Sequence, residues 1–127
     1  MRLGRTRTIL NAPPRHVVVI YNPVSGGGTA KRTVDHMVAP IFKLSRIDFT
    51  VVMTEYAGFA VEYVRGIDPD VVNGLLIAGG DGLVHECVTG YSTHPDYQQL
   101  RQRVPIGICP SGTANAMAVS VCPLCKR

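Results

Sequence analysis

Apolar and polar positions along this chain switch between two periods. Short apolar runs are separated by longer stretches with helical spacing. The run His16-Val17-Val18-Val19-Ile20-Tyr21 predicts a first strand over 16–21. A helix is expected over 29–43, with Thr29 as its cap and Val34, Met37, Val38 and Ile41 as its apolar stripe. Pro40 should kink or shorten it. Asp48-Phe49-Thr50-Val51-Val52-Met53 reads as a second strand. A helix over 57–66 should turn Ala60, Val61 and Val64 inward and end near Gly66. The third strand is expected over 72–78, followed by a helix over 83–91. A surface helix over 95–103 should turn Tyr97 and Leu100 inward, the fourth strand spans 105–109, and a last helix starts near 113. Strands alternating with helices predict an α/β fold: a Rossmann-like parallel sheet with helices on both faces.

Three of the apolar runs lead into loops of small residues. Leu75-Leu76-Ile77 runs into Ala78-Gly79-Gly80-Asp81-Gly82, and a helical pattern restarts at Leu83. The first strand runs into Asn22-Pro23-Val24-Ser25-Gly26-Gly27-Gly28. Ile106-Gly107-Ile108-Cys109 runs into Pro110-Ser111-Gly112-Thr113-Ala114-Asn115. In an open α/β sheet, ligands bind at the carboxyl ends of the strands. Glycines let backbone approach a bulky ligand, and a helix start following such a loop suits an anion such as phosphate. The carboxylate of Asp81 would repel phosphate in a plain cradle. It makes sense as a base that takes a proton from an attacking hydroxyl, or as a group that acts through a metal ion.

Composition narrows the class. The 127 residues suit one domain, and 46% apolar with 17% charged residues fits a globular protein. No apolar stretch approaches the roughly 20 residues that span a bilayer, so no transmembrane segment is expected. The net charge is +4, and Arg2, Arg5, Arg7 and Arg15 supply four of the 13 basic residues. The remainder balances its nine acidic residues. A neutral domain body argues against a nucleic-acid partner. Residues 1–15 read as a basic disordered arm; a mitochondrial transit peptide is the weaker reading, because the arm is short and lacks clear amphipathicity. Four cysteines without a secretory signal suggest reduced thiols. Cys122-Pro123-Leu124-Cys125 has the spacing of half a zinc site with no second pair, so no metal-ligand set is assigned. Cys87 and Cys109 read as core.

The ordered motifs resemble a known family. Asn22-Pro23 with its trailing glycines, Gly79-Gly80-Asp81-Gly82 and Pro110-Ser111-Gly112-Thr113-Ala114-Asn115 are similar to the nucleotide-binding motifs of the diacylglycerol kinase catalytic domain superfamily. Within it, Gly80-Asp81-Gly82-Leu83-Val84-His85-Glu86, Val88-Thr89-Gly90 and His94-Pro95-Asp96-Tyr97 resemble sphingosine kinases, with acylglycerol kinase next. Leu83 follows the Gly-Asp-Gly where many superfamily members carry Thr, which fits the sphingosine-kinase-like branch. The resemblance spans 16–121, leaving 122–127 as a tail.

The resemblance implies roles. Asp81 would be the catalytic base. Asn22, Pro23, Val24, Gly26, Thr54, Gly79, Gly80, Gly82, Glu86, Ser111, Gly112 and Thr113 would bind nucleotide. The cofactors would be ATP and Mg2+, and the other partner a lipid substrate presented at a membrane surface. That implies a cytoplasmic protein with peripheral membrane association. The residues alone leave plainer readings open: Asn22 as an Asx turn, Thr54 and Ser111 as caps, Glu86 as a solvated helix position. His85 reads as structural. Such kinases resemble two-domain proteins whose second, β-rich domain carries the lipid pocket. The sequence stops after the third motif, which reads as a fragment or a truncated gene product, so the isolated chain is not expected to turn over. The expected reaction is phosphoryl transfer from ATP to a sphingoid base. Alternatives are an acylglycerol or diacylglycerol kinase, an NAD kinase with its own Gly-Gly-Asp-Gly loop, and a nucleotide-binding domain without activity.

Overall fold

The computed structural model describes residues 15–110. Four strands form one sheet in which every neighbouring pair is parallel, in the order β2-β1-β3-β4. The strands are β1 (His16–Tyr21), β2 (Asp48–Met53), β3 (Gly74–Gly79) and β4 (Ile106–Pro110). Strand β1 lies between the two halves of the winding, and β2 and β4 are the edges. A sheet covered on both faces needs apolar residues at successive positions, which is why β1 reads Val17-Val18-Val19-Ile20. Val18 and Ile20 face one layer with Leu75 and Ile77; Val19 and Tyr21 face the other with Ala78.

The first layer holds α3 (Phe59–Arg65), α4 (Asp81–Ser92) and α5 (Tyr97–Arg103). Ala60, Val64, Leu83, Val84, Cys87 and Leu100 are their buried positions. Gly90 lets α4 approach α3: a Cβ there would sit 2.6 Å from the Val61 carbonyl oxygen. His94, buried after α4, accepts the Asp96 N–H on Nδ1 at 2.9 Å, so its proton is on Nε2, which donates to the Ile67 carbonyl at 2.7 Å. It ties the α4–α5 connection to the end of α3. The histidine of the His-Pro-Asp-Tyr stretch is therefore built into the core.

The second layer differs from the sequence expectation. The single helix expected over 29–43 is three pieces: α1 (Thr29–Thr33), a π-helical turn (Val34–Val38) and α2 (Ala39–Leu44). Pro40 has no N–H to donate, and its ring crowds the carbonyl four residues back. The chain answers with the wider turn just upstream, where the Ala39 N–H reaches back to the Val34 carbonyl. The buried positions consequently fall at Ala30, Val34 and Val38, with Phe42 partly buried, while Met37 and Ile41 stand exposed. Thr29 does not cap this helix; Gly28 holds the cap position at φ 90°, a left-handed conformation that a side chain would strain.

Candidate active site

Parallel register brings the loops together. Tyr21, the last residue of β1, lies between Met53 of β2 and Ala78 of β3. Gly79 pairs with Pro110 at the end of β4. The segments beginning at Asn22, Thr54 and Gly80 therefore leave the same sheet edge. Asn22 makes the Asx turn: its Oδ1 accepts the Val24 N–H at 3.0 Å and so fixes the direction of Pro23. Thr54 continues the ladder one residue past β2, its N–H donating to the Tyr21 carbonyl at 2.9 Å.

The Gly-Asp-Gly stretch is not a loop of its own. Gly80 alone steps from β3 into α4, at φ −88° and ψ −172°, an ordinary extended conformation. Asp81 is the first helical residue and Gly82 the second, two positions before the expected start at Leu83. The Val84 N–H donates to the Gly80 carbonyl at 3.1 Å and closes the first turn. Gly79 leaves room for Leu83: a Cβ would lie 2.7 Å from Leu83 Cδ2, and that side chain would have to shift. Gly82 is needed for nothing of the kind, because a Cβ there would meet no atom within 4 Å.

A cavity of about 300 Å³ opens at this edge. Its walls are Asn22-Pro23-Val24, Thr54-Glu55-Tyr56-Ala57, and Gly82, Leu83 and Glu86 of α4. Six expected site residues thus share one space: Asn22, Pro23, Val24, Thr54, Gly82 and Glu86. Asp81 is exposed at the head of α4, beside Gly82 and outside the cavity lining. Gly26 belongs to a 3-10 turn, Ser25–Gly28, beyond the Asx turn. Ser111, Gly112 and Thr113 lie outside the described residues. Sequence reasoning passed over Glu55, Tyr56 and Ala57. The signal was available, since a parallel neighbour of β1 must deliver its own carboxyl-end loop to the same edge.

The wall residues are fastened from behind. Glu86 Oε1 accepts the Gly58 N–H at 3.1 Å and the Ala60 N–H at 3.3 Å, at the start of α3. The Tyr56 hydroxyl donates to Glu62 Oε2 at 2.8 Å, and that bond raises the phenol above its ordinary pKa. Burial, with Glu86 adding to it, pushes the Cys87 thiol up to about 12, so this cysteine is a packing residue. Among the described residues the cavity lining carries two carboxylates, Glu55 and Glu86, and no basic side chain. No group of three metal-ligating side chains occurs among them.

A parallel α/β sheet with a polar cavity at its carboxyl edge defines a class of ligand-binding α/β domains. The model of the diacylglycerol kinase catalytic domain matches residues 16–124, and the chain belongs to that family. It is 36% identical over 106 residues to sphingoid long chain base kinase 5 of Saccharomyces cerevisiae, covering 84% of this chain and 15% of that protein. It is 36% identical over 118 residues to human sphingosine kinase 1, covering 93% of this chain and 30% of that protein. The crystal structure of a diacylglycerol kinase from Bacillus anthracis str. Sterne superimposes with a TM-score of 0.63 at 28% identity, covering 80% of this chain and 34% of that one. The chain thus spans under a third of the length of either curated relative.

Proposed function

We propose that this chain is the nucleotide-binding part of a lipid kinase that transfers the γ-phosphate of ATP to the hydroxyl of a sphingoid base. The observation that carries the reading is Asp81 at the head of α4, on the same sheet edge as the Asn22 turn and Thr54 and next to the cavity. The names of the sphingoid-base and sphingosine kinases it resembles support the choice of lipid. An acylglycerol or diacylglycerol is the alternative acceptor, and a lipid substrate implies a membrane surface as its source. Among the described residues no helix is long and apolar enough to cross a membrane. We place the protein in the cytoplasm, meeting that surface from outside.

The donor set fits such a substrate. An amide, a hydroxyl, an aromatic ring and carboxylates without a basic side chain suit the neutral nucleoside end of ATP. The phosphates would then lie toward Gly79, Gly80 and Gly82, with Gly26, Ser111, Gly112 and Thr113 as further proposed nucleotide-binding residues. Mg2+ is ordinarily held by one or two carboxylates together with phosphate oxygens, and Glu55 of the cavity wall would supply one. When bound, the ion neutralises phosphate charge.

Asp81 carries the chemical step. Its carboxylate takes the proton of the lipid hydroxyl as that oxygen bonds to the γ-phosphorus. The bond to the bridging oxygen breaks, and the electron pair leaves with ADP. Asp81→Asn keeps the shape and removes the proton acceptor. In the complete protein that carries this sequence, turnover should fall by roughly 10²–10⁴-fold while ATP affinity holds. Full lipid phosphorylation by Asp81→Asn overturns the assignment.

A further inference from the structure

We infer that Glu86 is a positioning residue: by holding two backbone N–H groups it fixes the Thr54–Ala57 wall against the helix that carries Asp81, and so sets the width of the site. The inference rests on the nucleotide reading above and deepens it.

The wall between β2 and α3 is short and has two described fastenings to the rest of the domain. At its start the Thr54 N–H donates to the Tyr21 carbonyl. At its end Glu86 Oε1 takes the N–H groups of Gly58 and Ala60. Those two donors belong to the start of α3, where N–H groups have no acceptor within the helix. The Tyr56–Glu62 bond and the edge-on contact of Tyr56 with Phe59 are internal to the wall and α3, so they do not tie the wall to α4.

The reach of Glu86 depends on the close approach of the two helices. Gly90, one turn further along α4, is where a Cβ would collide with the Val61 carbonyl. Gly58 adds the second condition: at φ 89° it turns its N–H toward α4 in a conformation that glycine adopts without strain. Glu86 and Asp81 ride on the same helix, five residues apart. The bond that holds the wall therefore also holds it relative to the proposed base.

A positioning role and a direct role make different demands on the side chain. Positioning needs an acceptor at Oε1; a direct electrostatic role needs the charge. Gln supplies the acceptor without the charge, and Ala supplies neither. The test compares Glu86→Ala and Glu86→Gln in the full chain, by amide hydrogen exchange without nucleotide and by ATP affinity.

In Glu86→Ala, exchange at Gly58 and Ala60 should rise and ATP should bind about tenfold more weakly. In Glu86→Gln, both should stay within about twofold of the parent. In the complete protein, Glu86→Ala should raise the KM for ATP more than it lowers kcat. Should Glu86→Ala unfold, Glu86→Gln decides alone, since retained affinity and protection are what positioning demands. Affinity lost equally in both variants, or lost without any change in exchange, overturns the inference and leaves the nucleotide reading standing. Failure of the parent chain to bind ATP overturns the nucleotide reading, while the exchange pattern still reports the fastening.

Discussion

Within the described residues, the two faces of the sheet bury unequal amounts of protein. Among the described residues, the face under α3, α4 and α5 contains fourteen buried residues, from Val18 and Ile20 to Leu100 and Val104. The face under α1, the π-helical turn and α2 contains six. Among the described residues, an apolar recess of about 260 Å³ lies on that face between Phe42, Leu76 and the backbone of Gly74 and Gly107. Asp81 and Glu86 both belong to a helix of the heavily packed face. A side chain that must stand within hydrogen-bond reach of a reacting group needs a base that does not shift, and dense packing supplies one. The other face carries the Gly-rich turn and the π-helical turn that precedes Pro40.

The sharpest way to break this contrast is to hollow out the packed face. Leu100 of α5 is fully buried in the core cluster of that face. Leu100→Ala should cost about 2–5 kcal/mol in chemical denaturation, with the cavity left behind adding to the lost burial. A loss below 1 kcal/mol would mean that this face is not the structural base of the site.

Gly90→Ala comes next, at about 1–3 kcal/mol, because the new methyl meets backbone and not a flexible side chain. Since it pushes α3 away from α4, ATP affinity measured by calorimetry should fall along with stability. The smallest effect belongs to the other face. Leu44 is 86% exposed and Met37 59%, so Leu44→Ser and Met37→Ser should each move the denaturation free energy within about 0.5 kcal/mol. A large loss at either position would equalise the faces.

How far the sequence could be read follows the same division. On the packed face the periods were clean: Ala60 and Val64, then Leu83, Val84 and Cys87, mark helices whose buried positions the chain states openly. All four strands and their parallel direction follow from apolar runs separated by helical spacing, while the order β2-β1-β3-β4 is seen only in the structure. On the other face the period of 3.6 failed at Met37 and Ile41, because Pro40 forces a π turn and moves the buried positions to four-residue steps. At the site, Asn22, Thr54, Gly82 and Glu86 could be named from motifs. The helix start at Asp81 could not, since two glycines around one aspartate read as a loop until the Val84 N–H is seen to bond the Gly80 carbonyl. Glu86 as a fastening of α3 was equally hidden: its partners are backbone groups 26 and 28 residues away, which no local pattern records.

Gly82 separates the site from the packing beneath it. It lines the cavity, it lies in the first turn of α4, and a Cβ there touches nothing within 4 Å. Gly82→Leu therefore places a side chain in the cavity without disturbing the core, and the change favours the helix by up to about 1 kcal/mol. Measured together, thermal stability and ATP affinity of Gly82→Leu test whether the cavity at the ends of β1 and β2 is the nucleotide site. Stability should hold or rise while ATP binding weakens by at least about tenfold, the equivalent of about 1.4 kcal/mol. Unchanged ATP affinity in a fully folded Gly82→Leu would contradict it.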